Sequence, residues 1–199
     1  MEKTEEQMNV INIGYGSTNY YAIDYEKKYL LIDTGLPGTL GKMMSQLRKY
    51  GIPLHDVHYL IVTHFHPDHC GIAQEMQSLG VEIIISRSQL DFLESANESM
   101  KKFQDFKKIV INPQNIINEN DKPSFTERLG IPGYILHTPG HSDDSISIVI
   151  ERLGIFIGDL PFQNNMNIES NGKVDTSWSQ LRSTNEKHVF PGHGNTITL

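Results

Sequence analysis

Residues 63–69 have the sequence Thr63-His64-Phe65-His66-Pro67-Asp68-His69, which follows the pattern His-x-His-x-Asp-His. Imidazole and carboxylate groups are ligands that divalent metals prefer in proteins, and they suit Zn²⁺ in particular. Four such side chains are more than one ion usually takes from one short loop. The pattern of this histidine loop therefore indicates two metal ions rather than one.

The flanking residues place the histidine loop between a strand and a helix. The apolar run Tyr59-Leu60-Ile61-Val62 precedes it and is typical of a buried strand. Residues 70–79 follow it with helical spacing, and Gly80 ends that pattern. Proteins of the α/β class place functional sites at such junctions. A solvated loop without any ligand role is the alternative, but unpartnered histidines there would be costly to desolvate.

The remaining elements alternate between strands and helices. Periodicity predicts strands over residues 10–13, 18–25, 28–32, 58–62, 81–85, 133–136, 145–150, 154–157 and 188–190. It predicts helices over residues 36–50, 70–79 and 176–186. Segment 86–120 is polar with sparse apolar residues at helical spacing, which predicts one or two amphipathic helices that form a cap or side layer. We expect one layered α/β domain over residues 1–199, with the topology left open by this pattern.

Composition limits the partners and the compartment. The formal charge of −7 argues against a nucleic-acid partner, because phosphate binding needs a basic surface. Cys70 is the only cysteine, so no internal disulfide and no thiolate zinc cage can form. The charged N-terminus does not resemble a signal peptide, and no apolar run approaches the length of a membrane span. We expect a cytoplasmic protein without a membrane partner; the oligomeric state stays open.

Three further ligand-type residues each follow a predicted strand and a glycine. They are His141 after Gly140, Asp159 after Gly158 and His193 after Gly192. Glycine permits the sharp turn that can direct such a side chain back across a sheet edge. A single residue of this kind is more often structural, but all three repeat the geometry of the histidine loop. Together they favour one metal site assembled from distant parts of the chain.

These motifs, in this order, resemble those of the metallo-β-lactamase superfamily of hydrolases. The resemblance runs from Asp33-Thr34-Gly35 to Pro191-Gly192-His193-Gly194. It implies the metallo-β-lactamase fold, a four-layer αβ/βα sandwich, with two metals at one edge. It also implies how the ligands are divided between the ions: His64, His66 and His141 on the first metal, Asp68, His69 and His193 on the second, and Asp159 as a bridge. Asp33 would steady the ligand loop from behind, or it would serve only as a turn cap.

Two divalent ions, expected to be Zn²⁺ with iron or manganese as alternatives, suggest a hydrolytic mechanism. Metals about 3.5–4 Å apart can lower the pKa of a bridging water toward neutrality, and the resulting hydroxide would attack a carbonyl or phosphoryl centre. Asp68 is the candidate catalytic residue that accepts or delivers a proton. We expect Ser142 and Ser145 to cap a loop, and Cys70 to be a small buried side chain.

The expected substrate is a small molecule, namely an ester, a thioester or a lactone. Asp159 stands where common β-lactamases of this superfamily have a cysteine ligand, and only six residues follow His193, too few for the helical domain of two-domain glyoxalase II enzymes. Segment 86–120 and loop 160–166, with Phe162 above all, are expected to set specificity. The alternatives are a β-lactam or phosphodiester hydrolase, a mononuclear iron dioxygenase acting on persulfides, and a binding protein without catalysis.

Overall fold

The computed structural model describes residues 8–162 and 172–199. Six strands form the first sheet in chain order: β1 (Asn9–Asn12), β2 (Tyr21–Tyr25), β3 (Lys28–Ile32), β4 (Val57–Ile61), β5 (Glu82–Ser86) and β6 (Ile116–Ile117). Five strands form the second sheet in the order β11-β10-β9-β8-β7: β7 (Gly133–His137), β8 (Ile146–Ile150), β9 (Gly154–Gly158), β10 (His188–Pro191) and β11 (Ile197–Thr198). Both sheets contain parallel and antiparallel pairs.

Within residues 8–162 and 172–199, six α-helices accompany the two sheets: α1 (Leu40–Lys49), α2 (Pro67–Cys70), α3 (Ala73–Ser78), α4 (Leu90–Met100), α5 (Lys122–Leu129) and α6 (Gly172–Arg182). None of the helices in the described part of the chain has the length and apolar character needed to cross a lipid bilayer. The helix predicted over 70–79 is found as the shorter α3, whereas α2 begins within the histidine loop and shares only Cys70 with the prediction. The helix predicted over 176–186 begins and ends four residues earlier.

Central strands such as β5 and β9 are buried on both faces, because their apolar side chains point alternately into two cores. In β5, Ile84 faces a core between the sheets, whereas Ile83 and Ile85 face a core under α1, α3 and α4. In β9, Phe156 faces the core between the sheets and Ile155 faces a third core under α6. Successive side chains of a strand point to opposite faces. The result is helix, sheet, sheet, helix, which confirms the predicted four-layer αβ/βα sandwich.

Segment 86–120 contains one α-helix, within the one or two that its spacing predicts. It contains the single α-helix α4, two short 3₁₀ turns and strand β6, which extends the first sheet. Residues 101–112 between α4 and the second 3₁₀ turn form no regular element. The segment is therefore partly an edge of the sheet rather than a separate cap.

Helix α5 was not predicted, although its ends carry ordinary capping signals. Asp121 accepts a hydrogen bond from the backbone N–H of Ser124 at its N-terminus, and Pro123 lies in its first turn. The helix ends at Gly130, whose φ is +74°. Its apolar residues Phe125 and Leu129 complete the core between the sheets.

Candidate metal centre

The candidate ligands meet at one edge of the sandwich because they follow strands that end there. The histidine loop follows β4, Asp159 follows β9 directly, and His193 lies two residues after β10. The backbone N–H of Ile146 donates to the carbonyl of Thr63 over 2.9 Å, which joins the edges of the two sheets. Parallel neighbours β3/β4 and β9/β10 each direct their carboxyl ends to this edge.

All seven predicted ligands are brought together there. They fall into three overlapping groups, and within each group the candidate ligand atoms lie within 4.8 Å of one another. The groups are His64, His66 and His141; His64, His69 and Asp159; and Asp68, His69 and His193. The first and the last correspond to the two sets of three ligands implied by the family resemblance. In the middle group, Asp159 lies between the two sets.

The carboxylate of Asp159 is the centre of this arrangement. Its Oδ2 lies 3.6 Å from Nε2 of His141 and 3.4 Å from Nε2 of His193. Its Oδ1 lies 3.3 Å from Nε2 of His69. One carboxylate therefore faces imidazoles from both sets, as a bridging ligand would.

Three buried polar atoms of the cluster have no hydrogen-bond partner among the residues that the structure describes. They are Nε2 of His64, Nε2 of His69 and Oδ1 of Asp159. Buried polar atoms are ordinarily satisfied, so atoms left unpaired in one place need a reason. Nitrogen and carboxylate oxygen atoms that converge in this way suit divalent cations. The residues therefore fit a metal centre.

Burial and neighbouring charges give the histidines different proton affinities. Burial lowers the pKa of His64 well below its ordinary value, and the surrounding histidines lower it further. His64 is thus neutral, with a lone pair available for a metal. Burial also disfavours the charged form of His69, but the charge of Asp33 and the contacts with Asp159 raise the pKa of His69 to about 10. A cation that binds His69 must therefore displace a proton.

Asp33 supports the histidine loop from behind, as the resemblance implies. It accepts hydrogen bonds from the backbone N–H of Thr63 at 2.7 Å, from the Thr63 hydroxyl at 2.7 Å, and from Nδ1 of His69 at 2.8 Å. Asp33 has a φ of +62°, which is unusual for a residue other than glycine. A strained backbone persists only where the surroundings hold it, and these three bonds do so.

Two supports of the histidine loop were missed by sequence analysis. The carboxylate of Asp144 accepts from the backbone N–H of Phe65 over 2.6 Å. The buried amide of Gln89 donates to the carbonyl of Val62 over 3.0 Å. Asp144 lies among serines before a strand, where an aspartate usually indicates only a turn. Nothing in the local sequence of either residue indicates its partner in the loop.

Two glycines allow the close approach of the ligand segments. A Cβ atom on Gly192 would lie 2.5 Å from Oδ1 of Asp159 and 2.7 Å from Cε1 of His69. Gly158 has a φ of +54°, and a Cβ there would lie 2.5 Å from the hydroxyl of Thr63. Side chains at these positions would displace the ligands that they adjoin.

The remaining candidates have structural contacts. Cys70 is fully buried, and its thiol contacts the sulfur of Met100 at 3.6 Å. Ser142 and Ser145 bond to each other within their loop, with 2.7 Å between the hydroxyls. His137, which we expected to be structural, contacts the carbonyl of Asp143 through Nε2 at 2.8 Å.

An open cleft of about 450 Å³ leads to the metal centre. Its walls are formed by His141, Gly158, Asp159, Leu160, Pro161, Phe162, Pro191, His193 and Gly194. Phe162 lines it, as expected, and also packs against Trp178. None of the described lining residues comes from segment 86–120, so that expectation is not supported. Residues 163–166 of the predicted specificity loop lie outside the described residues.

Comparison with known proteins decides the family. Residues 13–193 match the family model described as the metallo-beta-lactamase superfamily. The chain belongs to the metallo-beta-lactamase superfamily. The match begins just after β1, ends at His193 and spans both sets of candidate ligands.

Three curated relatives within or near this superfamily are similar to the chain. A lactamase-like protein of Pestalotiopsis microspora is 30% identical over 90% of this chain and 50% of its own length. A "probable metallo-hydrolase" of Methanocaldococcus jannaschii is 29% identical over 91% of this chain and 89% of its own length. An N-acyl homoserine lactonase of a Bacillus species is 28% identical over 66% of this chain and 57% of its own length. The chain thus spans about half the length of the fungal relative and most of the archaeal one.

Solved structures share the fold. A beta-lactamase from Chitinophaga pinensis superposes with a TM-score of 0.73, over 93% of this chain and 75% of that chain, at 16% sequence identity. At this identity the likeness establishes the fold alone.

Proposed function

We propose that this protein is a metal-dependent hydrolase that cleaves a small, uncharged ester, thioester or lactone at a dinuclear centre. The observation that carries the proposal is the placement of the Asp159 carboxylate between two sets of three ligands. The similarity to an archaeal metallo-hydrolase and to a bacterial lactonase supports hydrolysis. We expect two Zn²⁺ ions, held by His64, His66 and His141 and by Asp68, His69 and His193.

Two bound divalent cations would supply a water of lowered pKa and an electrophile for the carbonyl oxygen of the substrate. The chain's own residues provide the rest. Asp68 belongs to the second set, and its side chain is 32% exposed, so it can hold a proton for the leaving group. His141 and His193, whose side chains are 30% and 39% exposed, line the cleft and are accessible to a substrate that enters it.

The walls of the cleft favour an uncharged acyl compound. Leu160, Pro161, Phe162 and Pro191 are apolar, and no lysine or arginine is among the described lining residues. Sites that bind anionic groups ordinarily present arginine or lysine to them. Lys173, the first cation of the chain after Asp159, pairs with Asp143 at 2.6 Å. A substrate with an uncharged acyl chain therefore suits these walls better than a phosphodiester does.

A metal count followed by a substrate panel tests the proposal. We expect two zinc equivalents per chain, and turnover of neutral thioesters and lactones. Thioesters with the same leaving group and either a hexanoyl or an adipoyl acyl chain isolate the effect of charge. We expect kcat/KM to be at least tenfold higher for the neutral hexanoyl compound. Turnover confined to phosphodiesters or to a chromogenic β-lactam would contradict the substrate class. One iron per chain, with oxygen uptake on a persulfide, would contradict hydrolysis itself.

A further inference from the structure

The turn Ser17–Asn19 contacts the second set of ligands and the loop that carries His193. We propose that this turn positions the second set, Asp68, His69 and His193, and sets its affinity for metal independently of the first set. The inference rests on the proposed two-metal function. The three residues of the turn act as positioning residues, since they bind the ligands and not the substrate.

The first contact orients Asp68. The hydroxyl of Thr18, a buried residue, donates to Oδ2 of Asp68 over 3.2 Å. The same oxygen lies 3.4 Å from Nε2 of His193 and 3.6 Å from Nε2 of His69. The hydroxyl of Thr18 thus holds the carboxylate in the rotamer that directs Oδ2 at both imidazoles.

The second contact selects the tautomer of His193. Its Nδ1 lies 2.7 Å from the backbone carbonyl of Ser17. A carbonyl can only accept, so Nδ1 carries the hydrogen, and in the neutral ring Nε2 then keeps its lone pair. That Nε2 faces the carboxylates of Asp68 and Asp159 at 3.4 Å each. A ligating histidine is commonly held in this way through its other nitrogen.

The third contact fixes the loop on both sides of His193. The side-chain amide of Asn19 donates to the carbonyls of Pro191 at 3.0 Å and Gly194 at 2.9 Å. The backbone N–H of Asn19 donates to the carbonyl of Gly192 at 2.7 Å. Asn12 donates to the side-chain oxygen of Asn19 at 2.9 Å, which fixes the orientation of the amide. These bonds restrict the movement of the loop that carries His193.

The first set is supported differently. Nδ1 of His64 contacts the hydroxyl of Thr63 at 3.1 Å, and Asp144 and Gln89 hold the backbone around it. None of the hydrogen bonds found in the described part of the chain joins the turn to His64, His66 or His141. Loss of the turn's contacts should therefore weaken the second metal and leave the first unchanged.

Two variants test this division, and a third serves as the matched control. Thr18→Val removes the hydroxyl and keeps the shape, Asn19→Ala removes the amide donors, and Thr18→Ser keeps the hydroxyl. Zinc affinity is measured by competition with a chelator, and zinc content by elemental analysis after dialysis. We expect Thr18→Val and Asn19→Ala to bind the second zinc 10–100-fold more weakly, with the first unchanged. Thr18→Ser should bind both zinc ions as the wild type does.

Thermal unfolding of the metal-free proteins separates a folding defect from a loss of positioning. If metal-free Asn19→Ala is unfolded, the near-isosteric Thr18→Val decides. Two zinc ions at wild-type affinity in Thr18→Val would overturn the inference, and so would an equal loss of both ions from a folded variant. A wild-type protein that binds only one zinc would overturn the inference and the dinuclear function together. Two zinc ions in the wild type without hydrolysis would overturn the proposed activity alone.

Discussion

The carboxylate of Asp33 and the imidazole of His69 form a buried pair, with 2.8 Å between Oδ2 and Nδ1. Both residues are almost completely buried. Because Nδ1 is engaged by the carboxylate, Nε2 is the ring atom that faces Asp68 and Asp159. The contact with Asp33 thus determines that Nε2 is the atom of His69 that faces the other candidate ligands.

Replacing Asp33 by asparagine should weaken this support without removing a ligand. The amide NH₂ group cannot accept a hydrogen bond. Either the Thr63 hydroxyl and His69, which share Oδ2, or the backbone N–H of Thr63, which bonds to Oδ1, would therefore lose its acceptor. We expect metal binding to weaken 10–100-fold, measured by competition with a chelator. Asp56→Asn, which changes a carboxylate that pairs with His55, is the control. Equal metal affinity in the two variants would contradict a supporting role for Asp33.

His66→Ala and Asp159→Ala each remove a proposed ligand from the centre. We expect each variant to lose nearly all turnover and at least one metal equivalent, measured by kinetics and elemental analysis. Asp159→Ala should lose more metal than His66→Ala, because the Asp159 carboxylate faces imidazoles of both sets. His188→Ala, at an exposed position, should keep full activity. Retained activity with full metal content in either ligand variant would refute the assignment.

Gly192→Ala tests how tightly the ligands are packed. The added methyl group would meet Oδ1 of Asp159 at 2.5 Å and the ring of His69 at 2.7 Å. A shift of about 1 Å at a reacting centre can cost on the order of a hundredfold in rate, so we expect kcat to fall at least tenfold. Gly41→Ala, whose Cβ would meet open space within α1, should keep kcat and stabilise the helix by about 0.5–1 kcal/mol. Similar kcat values for both variants would exclude a packing constraint at Gly192.

Glu119 should contribute to stability in a pH-dependent way. Burial disfavours its charge, but hydrogen bonds from Ser86 and Ser88 lower the pKa of Glu119 to about 2. A carboxyl group whose pKa is lower in the folded state stabilises the fold above its unfolded pKa and loses that effect as pH falls. We expect Glu119→Gln to lower the free energy of unfolding by about 1 kcal/mol at pH 7. The difference from wild type should begin to shrink below about pH 4.5 and be nearly gone at pH 2.

Urea denaturation of both proteins at pH 7, 4 and 2.5 measures this difference. Glu127→Gln, at an exposed position of α5, is the control and should show no such trend. A constant difference between Glu119→Gln and wild type across the three pH values would show that the carboxylate charge has no part in it.

The sequence by itself determined the chemistry of the site and the layers of the fold. Histidine and aspartate side chains are ligand types that can be read directly from the sequence. Their positions after predicted strands follow from the local pattern of apolar residues and glycines. Continuous apolar runs on strands such as β5 and β9 are equally local, because a strand buried on both faces must be apolar on both. These features needed no knowledge of distant contacts.

Only the tertiary structure decided how the ligands are held. Asp144 bonds to Phe65 across 79 positions of the chain, and Asn19 bonds to Gly194 across 175. A hydrogen bond between such distant residues leaves no periodic or spacing signal, because either partner alone looks like an ordinary turn residue. The shape of segment 86–120 was decided in the same way. Ile116 and Ile117 pair with β5 as strand β6, although no local signal in the sequence indicates that pairing.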